Sequence, residues 1–188
     1  MKYRFIFAAL VFSIPFGFTP SAYARALVEL GIHTGGDEII LVDDSNVVIE
    51  STKAGELYSL ALGGTLALTD NIEAQFSLGI KSNSNYAFDS EASWVRYPIN
   101  AMLFYNYENF RLGLGATAHL FSKYKVSGAT KNASSTYKNA LGGLLEIDYR
   151  VSQSLHLGLR YTSIQYVSED DGRGYDGSSI GLLLILLM

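Results

Sequence analysis

Residues 72–81 read Ile72-Glu73-Ala74-Gln75-Phe76-Ser77-Leu78-Gly79-Ile80-Lys81. Ile72, Ala74, Phe76, Leu78 and Ile80 are apolar, and the residues between them are polar or tiny. Successive side chains of a strand point to opposite faces. This segment is therefore a sheet element with one greasy side and one crowded, polar side.

The same two-residue rhythm runs from residue 57 to the C-terminus. It predicts strands at about 26–42, 47–68, 71–88, 94–107, 110–125, 136–150, 154–168 and 177–188. Thr69-Asp70-Asn71, Glu108-Asn109 and Val151-Ser152-Gln153 read as tight turns. Longer polar stretches at 89–93, 126–135 and 169–176 alternate with them and read as loops. In the first hairpin, Asp43-Asp44-Ser45-Asn46 marks a turn between β-branched flanks. Continuous strands there would lift this hairpin above a membrane surface. Short turns on one side and longer loops on the other is the outer-membrane pattern, with the turns and both termini on the periplasmic side.

Hairpin register follows from the turns. Thr65 falls opposite Gln75 and Ser59 opposite Lys81; Asn106 faces Arg111, Asn100 faces Thr117, and Asp148 faces His156. Polar positions thus meet polar positions on one face, as a single register requires.

The two faces can be assigned to two solvents. One carries Leu60, Leu62, Leu66, Leu68, Leu112, Leu114, Leu145, Ile147, Leu155, Leu157 and Leu159. The other carries Ser59, Ala61, Gly63, Thr65, Ala67, Gly113, Gly115, Gly142 and Gly158. A soluble, lipocalin-like barrel would turn the first set inward and show water a surface of Gly, Ala and Ser, which is unusual. An eight-stranded barrel has room inside only for its own side chains, so the small set belongs inside and the leucines face lipid. Tyr97, Tyr105, Tyr107 and Phe110 lie on the outward phase near strand ends. Tyr97 to Tyr107 spans roughly 25 Å at ~3.3 Å per residue and ~40° tilt, the height of an apolar band flanked by aromatic girdles. The expected fold is all-β: an eight-stranded antiparallel up-and-down transmembrane β-barrel.

The N-terminus reads as an export leader. Lys2 and Arg4 precede an apolar run broken by Pro15, and Ala22-Tyr23-Ala24 is a small-x-small cleavage site. Residues 1–24 are thus expected to be a cleaved signal peptide and 25–188 the barrel domain. Removing 24 of 188 residues leaves 164; basic residues fall from 14 to 12 against 18 acidic ones, a net charge near −6. Such a chain has no basic surplus for nucleic acid. The absence of Cys excludes disulfides, thiol chemistry and a lipidated N-terminal Cys. No metal or cofactor is implied by any spacing in the sequence.

At the level of pattern the chain resembles the small eight-stranded outer-membrane barrels, the group of the outer-membrane protein A transmembrane domain and outer-membrane protein X. The features that carry this are the leader ending Ala22-Tyr23-Ala24, the alternating segments and the strand-final C-terminus. WVRYPINAMLFY (94–105), FRLGLGATAHL (110–120), LGLRYTSIQY (157–166) and DGSSIGLLL (176–184) are similar to segments of uncharacterised proteobacterial barrels. The resemblance implies a Gram-negative outer-membrane location and contact with outer-membrane lipid and lipopolysaccharide. It also implies delivery by periplasmic chaperones and the barrel assembly machinery, and a monomer. Members usually end in an aromatic residue; this chain ends Leu187-Met188.

On the inward phase lie Glu29, Glu73, Lys81, Arg96, Arg111, Glu146, Asp148 and Arg160, with His33, His119 and His156. Charges in a narrow interior must pair, so a polar network closing the lumen is expected, with an ion pair between Glu146 and Arg160 as diagonal neighbours. His119 with Ser122 invites a hydrolase reading, but a regular strand sends Ser122 to the membrane side. His156 is expected to pair with Asp148. Gly35-Gly36-Asp37-Glu38-Ile39 echoes a cyclic-dinucleotide cyclase signature that belongs to a cytoplasmic α/β domain, and reads as coincidence. The acidic run at 169–172 lacks calcium-loop spacing. The expected role is non-enzymatic: structural, or presenting loops to partners. The alternatives are a conduit for a small hydrophobic ligand, as in barrels similar to outer-membrane protein W, and a lipid A-modifying enzyme. The inward apolar Leu183, Ile185 and Leu187 speak for the conduit.

Overall fold

The computed structural model describes residues 24–42, 48–87, 90–128, 132–170 and 172–188. The stretch expected to be a leader, apart from Ala24, and the turn expected at 43–46 lie outside the described residues.

A closed antiparallel barrel of eight strands is formed by β1 (Ala24–Thr34), β4 (Leu57–Ala67), β5 (Ile72–Ala87), β6 (Ser90–Tyr107), β7 (Phe110–Gly128), β9 (Ala140–Arg150), β10 (Leu155–Val167) and β12 (Ser179–Leu187). β12 closes the ring on β1, from Leu27 opposite Leu187 to Thr34 opposite Ile180. The described residues contain no helix. The alternation of Ile72–Lys81 holds in three dimensions. Leu62, Phe76, Leu78 and Leu114 are each about 60% exposed on the outside, while Ser59, Thr65, Gln75, Ser77 and Thr117 are buried on the inside.

The first hairpin departs from the sequence expectation. β1 does not run on to residue 42, nor does one strand cover 47–68. β2 (Glu38–Val42) and β3 (Val48–Lys53) pair only with each other, as a separate two-stranded sheet. Gly35 (φ 129°) and Gly36 (φ 80°) take left-handed conformations that end β1. A Cβ on Gly36 would sit 2.6 Å from the Gly55 amide nitrogen, so the backbones can meet there only without side chains. The junction is latched. Asp37 N donates to Asp176 O at 2.7 Å, Ala54 N to Asp37 O at 2.7 Å, and Asp176 N to Asp37 Oδ2 at 2.8 Å.

The polar stretches expected as loops are mostly strand. β5 runs to Ala87 and β6 starts at Ser90, β7 runs to Gly128, β8 (Asn132–Thr136) pairs back onto it, and β11 (Gly174–Asp176) pairs onto β10. Polarity there marks a change of surroundings; backbone hydrogen bonding continues through it. β6 and β7 hold 18 and 19 residues, against the ~9–11 needed to cross a bilayer. The excess stands beyond the apolar belt at the loop end.

The Thr65–Gln75, Ser59–Lys81, Asn106–Arg111 and Asn100–Thr117 pairings are observed. The last turn differs. His156 faces Arg150, so Asp148 faces Gly158, and Glu146 stands directly opposite Arg160, not diagonal to it. The cause is a wider turn, in which Val151 N and Ser152 N both bond Leu155 O and the Ser152 hydroxyl accepts from Leu155 N at 3.1 Å. A second departure is a bulge between β6 and β7. The register shifts between Val95 and Tyr97, and Phe121 has φ 51°. One extra residue reverses the phase beyond it. Ser122 and Tyr124 therefore turn inward and are buried, where an unbroken strand would have sent Ser122 to the membrane side.

Candidate functional site

The inward side chains stack in layers from the turn end to the loop end. At the turn end, Glu73 accepts from Arg25 at 2.5 Å and from Arg111 at 2.8 Å. Arg111 also reaches Gln75 at 3.0 Å and Asp148 at 3.2 Å, with its guanidinium 4.0 Å over the Phe104 ring. Above it, Arg160 takes both Glu29 oxygens in a bidentate fork, at 2.7 and 2.6 Å, and donates its Nε to Glu146. All three are buried. Arg160 spends all three nitrogens and Glu29 both oxygens, while Glu146 Oε1 is left without a partner; close charge pairing of this kind is what offsets desolvation of buried charges.

The next layer is neutral. The Asn100 amide donates to Ser77 at 3.1 Å and accepts from Thr117 at 2.7 Å. Toward the loop end lie Lys81, His33 and Arg96. Lys81 donates to His33 Nδ1 at 3.4 Å, and His33 Nε2 meets the Ser59 hydroxyl at 2.9 Å. Arg96 donates to the Tyr166 hydroxyl, which also meets His119 Nδ1 at 2.5 Å. The Arg96 guanidinium lies 4.5 Å from the Trp94 ring centroid and 4.8 Å from that of Tyr166. An aromatic collar closes this end. Trp94 stacks on Tyr137 at 5.2 Å and meets Tyr124 and Tyr166 edge-on, with Ala54, Ala140 and Ile164 between them.

The structure thus places Glu29, Glu73, Arg96, Arg111, His119, Glu146, Asp148, His156 and Arg160 in the lumen, all buried. It brings Glu146 to Arg160 and Arg111 to Asp148. It does not bring His156 to Asp148, and neither ring nitrogen of His156 has a hydrogen-bond partner. The bulge turns Ser122 to the same side as His119. His119 nevertheless spends its Nδ1 on Tyr166 and the Ser122 hydroxyl has no partner, so no nucleophile–base pair forms. Among the described residues no group of His, Cys, Asp and Glu is arranged to hold a metal. The collar escaped sequence reading because the bulge hides the phase of Tyr124. Tyr166, six residues from Arg160 on an unbroken strand, carried a legible inward phase.

Outside, Tyr97, Tyr105, Tyr107 and Phe110 are exposed. Phe110 packs edge-on against Tyr149 at the turn end (5.4 Å), and Tyr97 against Phe121 toward the loop end (6.5 Å). Asp176, at the junction of the detached hairpin, accepts from Ser178 N at 2.9 Å; hydrogen bonding to Ser178 holds its carboxyl below the ordinary aspartate range.

No protein-family model and no curated protein matches this sequence. Among solved structures, the chain is similar to Ail, the attachment invasion locus protein of Yersinia pestis, with a TM-score of 0.54 and 11% identity over 87% of this chain and 96% of Ail. It is also similar to Neisserial surface protein A, with a TM-score of 0.51 and 12% identity over 88% of this chain and 96% of that one. At such identity the likeness is one of fold. The chain has the fold of the small eight-stranded outer-membrane β-barrels.

Proposed function

We propose that this chain is a non-enzymatic barrel of the Gram-negative outer membrane whose loop end is a contact surface for other molecules. The carrying observation is the contrast between its two parts. Among the described residues the lumen is filled by buried side chains, while β2–β3 hangs from a glycine bend and pairs with no barrel strand. Unpaired strand edges are templates for an added strand. β5, β6 and β7 carry the ladder past the aromatic belt and raise this surface clear of the bilayer. The leucine-covered wall supports residence in lipid, and the leader at 1–24 supports export by way of periplasmic chaperones and the barrel assembly machinery. Exposed Lys123 and Lys125 follow outward-facing Phe121 along β7, where lipopolysaccharide phosphates would meet them. An attachment role, which the name of Ail carries for that protein, is the same class of role.

The packed lumen weighs against a conduit along the barrel axis. Among the described residues, inward side chains from Glu29 to Ile185 have almost no accessible surface, which leaves no room for a water-sized channel beside them.

The test replaces 38–53 with a short glycine turn in cells of a Gram-negative host. The barrel should still fractionate with the outer membrane and keep its heat-modifiable mobility, while binding to cells or coated surfaces is lost. Unchanged binding by the shortened protein would remove the contact role.

A further inference from the structure

Lys81 and Arg96 stand directly opposite each other across β5 and β6, both inward and both buried. Like charges facing each other across a ladder repel, and a buried charge without a counter-charge is costly. Among the described residues the buried carboxylates are Glu29, Glu73, Glu146 and Asp148, and all are engaged elsewhere. Glu29 and Glu146 hold Arg160, Glu73 holds Arg25 and Arg111, and Asp148 holds Arg111. Glu56, at the rim near His33, is exposed. Among the described residues neither Lys81 nor Arg96 forms an ion pair. Arg96 is partly compensated by the faces of Trp94 and Tyr166. Lys81 has only the His33 ring, which occupies one of its three N–H donors.

The unmet hydrogen bonds beside this pair are donors. Arg96 Nε, Arg96 Nη2 and Trp94 Nε1 are buried without a partner, and none of these nitrogens can accept. The turn end is different. There the atoms without a hydrogen bond include the acceptors Asp148 Oδ1 and Asn106 Oδ1 together with the donors Arg111 Nε and Gln75 Nε2. Water, donor and acceptor at once, can bridge such a mixed set. Around Lys81 and Arg96, water would answer the donors and still leave two like charges face to face. An anion answers both needs. The accessible surface of this layer lies at the ammonium: Lys81, His33 and Ser59 are 6%, 5% and 8% exposed, against 1% for Arg96 and 0% for Tyr166.

We propose that a single monatomic anion, chloride, is bound inside the barrel between Lys81 and Arg96, on the side of the ammonium that faces His33 and Ser59. A monatomic ion suits this layer because so little of it is accessible, which disfavours the larger oxyanions. The ion is the counter-charge that the carboxylates of the lumen do not supply, and it turns a repulsion across β5 and β6 into a contact that both strands share. The site lies inside the wall and is independent of the contact role of the loop end.

The test has two arms, both on the full-length mature barrel. In the first, crystals are grown in sodium bromide and anomalous scattering locates the halide. A bromide peak touching Lys81 Nζ inside the barrel is expected; bromide on the outer surface alone would overturn the proposal. In the second, urea unfolding from phospholipid vesicles is followed while chloride replaces gluconate at constant ionic strength. Above the dissociation constant, each tenfold rise in chloride should multiply the folded-to-unfolded ratio by about ten. Lys81→Met should fold in gluconate at least as well as the parent, because it removes a repelled buried charge, and its stability should not respond to chloride. A parent that ignores chloride would mean that Lys81 is buried without a counter-ion, and an equal response in Lys81→Met would place the chloride effect elsewhere; either result overturns the proposal. If Lys81→Met fails to fold, the bromide position decides it.

Discussion

Arg160 and Glu29 are 131 residues apart in the chain, on the strands either side of β12, and meet inside the barrel as a bidentate pair, at 2.7 and 2.6 Å, while Arg160 Nε is held by Glu146. Two carboxylates thus depend on one guanidinium in a site with no exposure to speak of.

Removing that guanidinium is therefore expected to be among the most damaging changes in the wall. Arg160→Met leaves two buried carboxylates without a partner and should cost about 3–5 kcal/mol in urea unfolding from phospholipid vesicles. Adding Glu29→Gln and Glu146→Gln should restore most of the loss, because the uncompensated charges go with it. A single variant within ~1 kcal/mol of the parent would mean that the cluster is not what holds this layer.

The bulge makes two substitutions at one position differ in cost. Phe121 has a left-handed backbone, at φ 51°, and its ring packs against Tyr97. Phe121→Val, β-branched, should destabilise by about 1–3 kcal/mol through backbone strain. Phe121→Gly relieves the strain but gives up the ring contact, worth about 0.5–1.5 kcal/mol, and should lie close to the parent. Valine tolerated better than glycine would show that the bulge relaxes.

Gly113 and Phe104 interlock. A Cβ on Gly113 would sit 2.5 Å from the Phe104 ring, which carries the Arg111 guanidinium on its face. Gly113→Ala should cost about 1–3 kcal/mol by overpacking. In the Phe104→Leu background it should cost much less, a coupling readable in a double-mutant cycle. Additive losses would mean that the ring moves aside freely.

Trp94 is the only tryptophan and is 1% exposed within the collar. Its emission should be blue-shifted and resist acrylamide in the folded barrel. Tyr137→Ala, which removes the ring stacked on it at 5.2 Å, should increase quenching without changing the heat-modifiable mobility. Ready quenching in the unaltered protein would mean that the collar opens in solution.

Much of the fold was legible from the chain alone, for a local reason. A strand's two faces are set by adjacent residues, so Ile72–Lys81 declares its own inside and outside with no knowledge of its neighbours. Tight turns such as Thr69-Asp70-Asn71 then carry that phase to the next strand. The strand count of the wall and the side that carries the leucines followed from these two facts. Where the chain turns at Gly35 and Gly36, the sequence contained the cause but not the outcome, since a glycine pair permits a bend that only the contact with Gly55 and Asp176 makes necessary.

What only the tertiary structure decided was everything that depends on one added residue or on closure of the ring. The extra residue at Phe121 reverses the phase of Ser122 and Tyr124, and the wider turn at 151–154 moves Asp148 away from His156 and puts Glu146 opposite Arg160. Such offsets leave no mark in a two-residue pattern, because the pattern on each side of them is intact. Sequence also placed Arg160 and Glu29 on the inner phase, but phase gives direction and not distance. Their meeting is set by closing β12 onto β1, which brings the two ends of the chain into one cross-section.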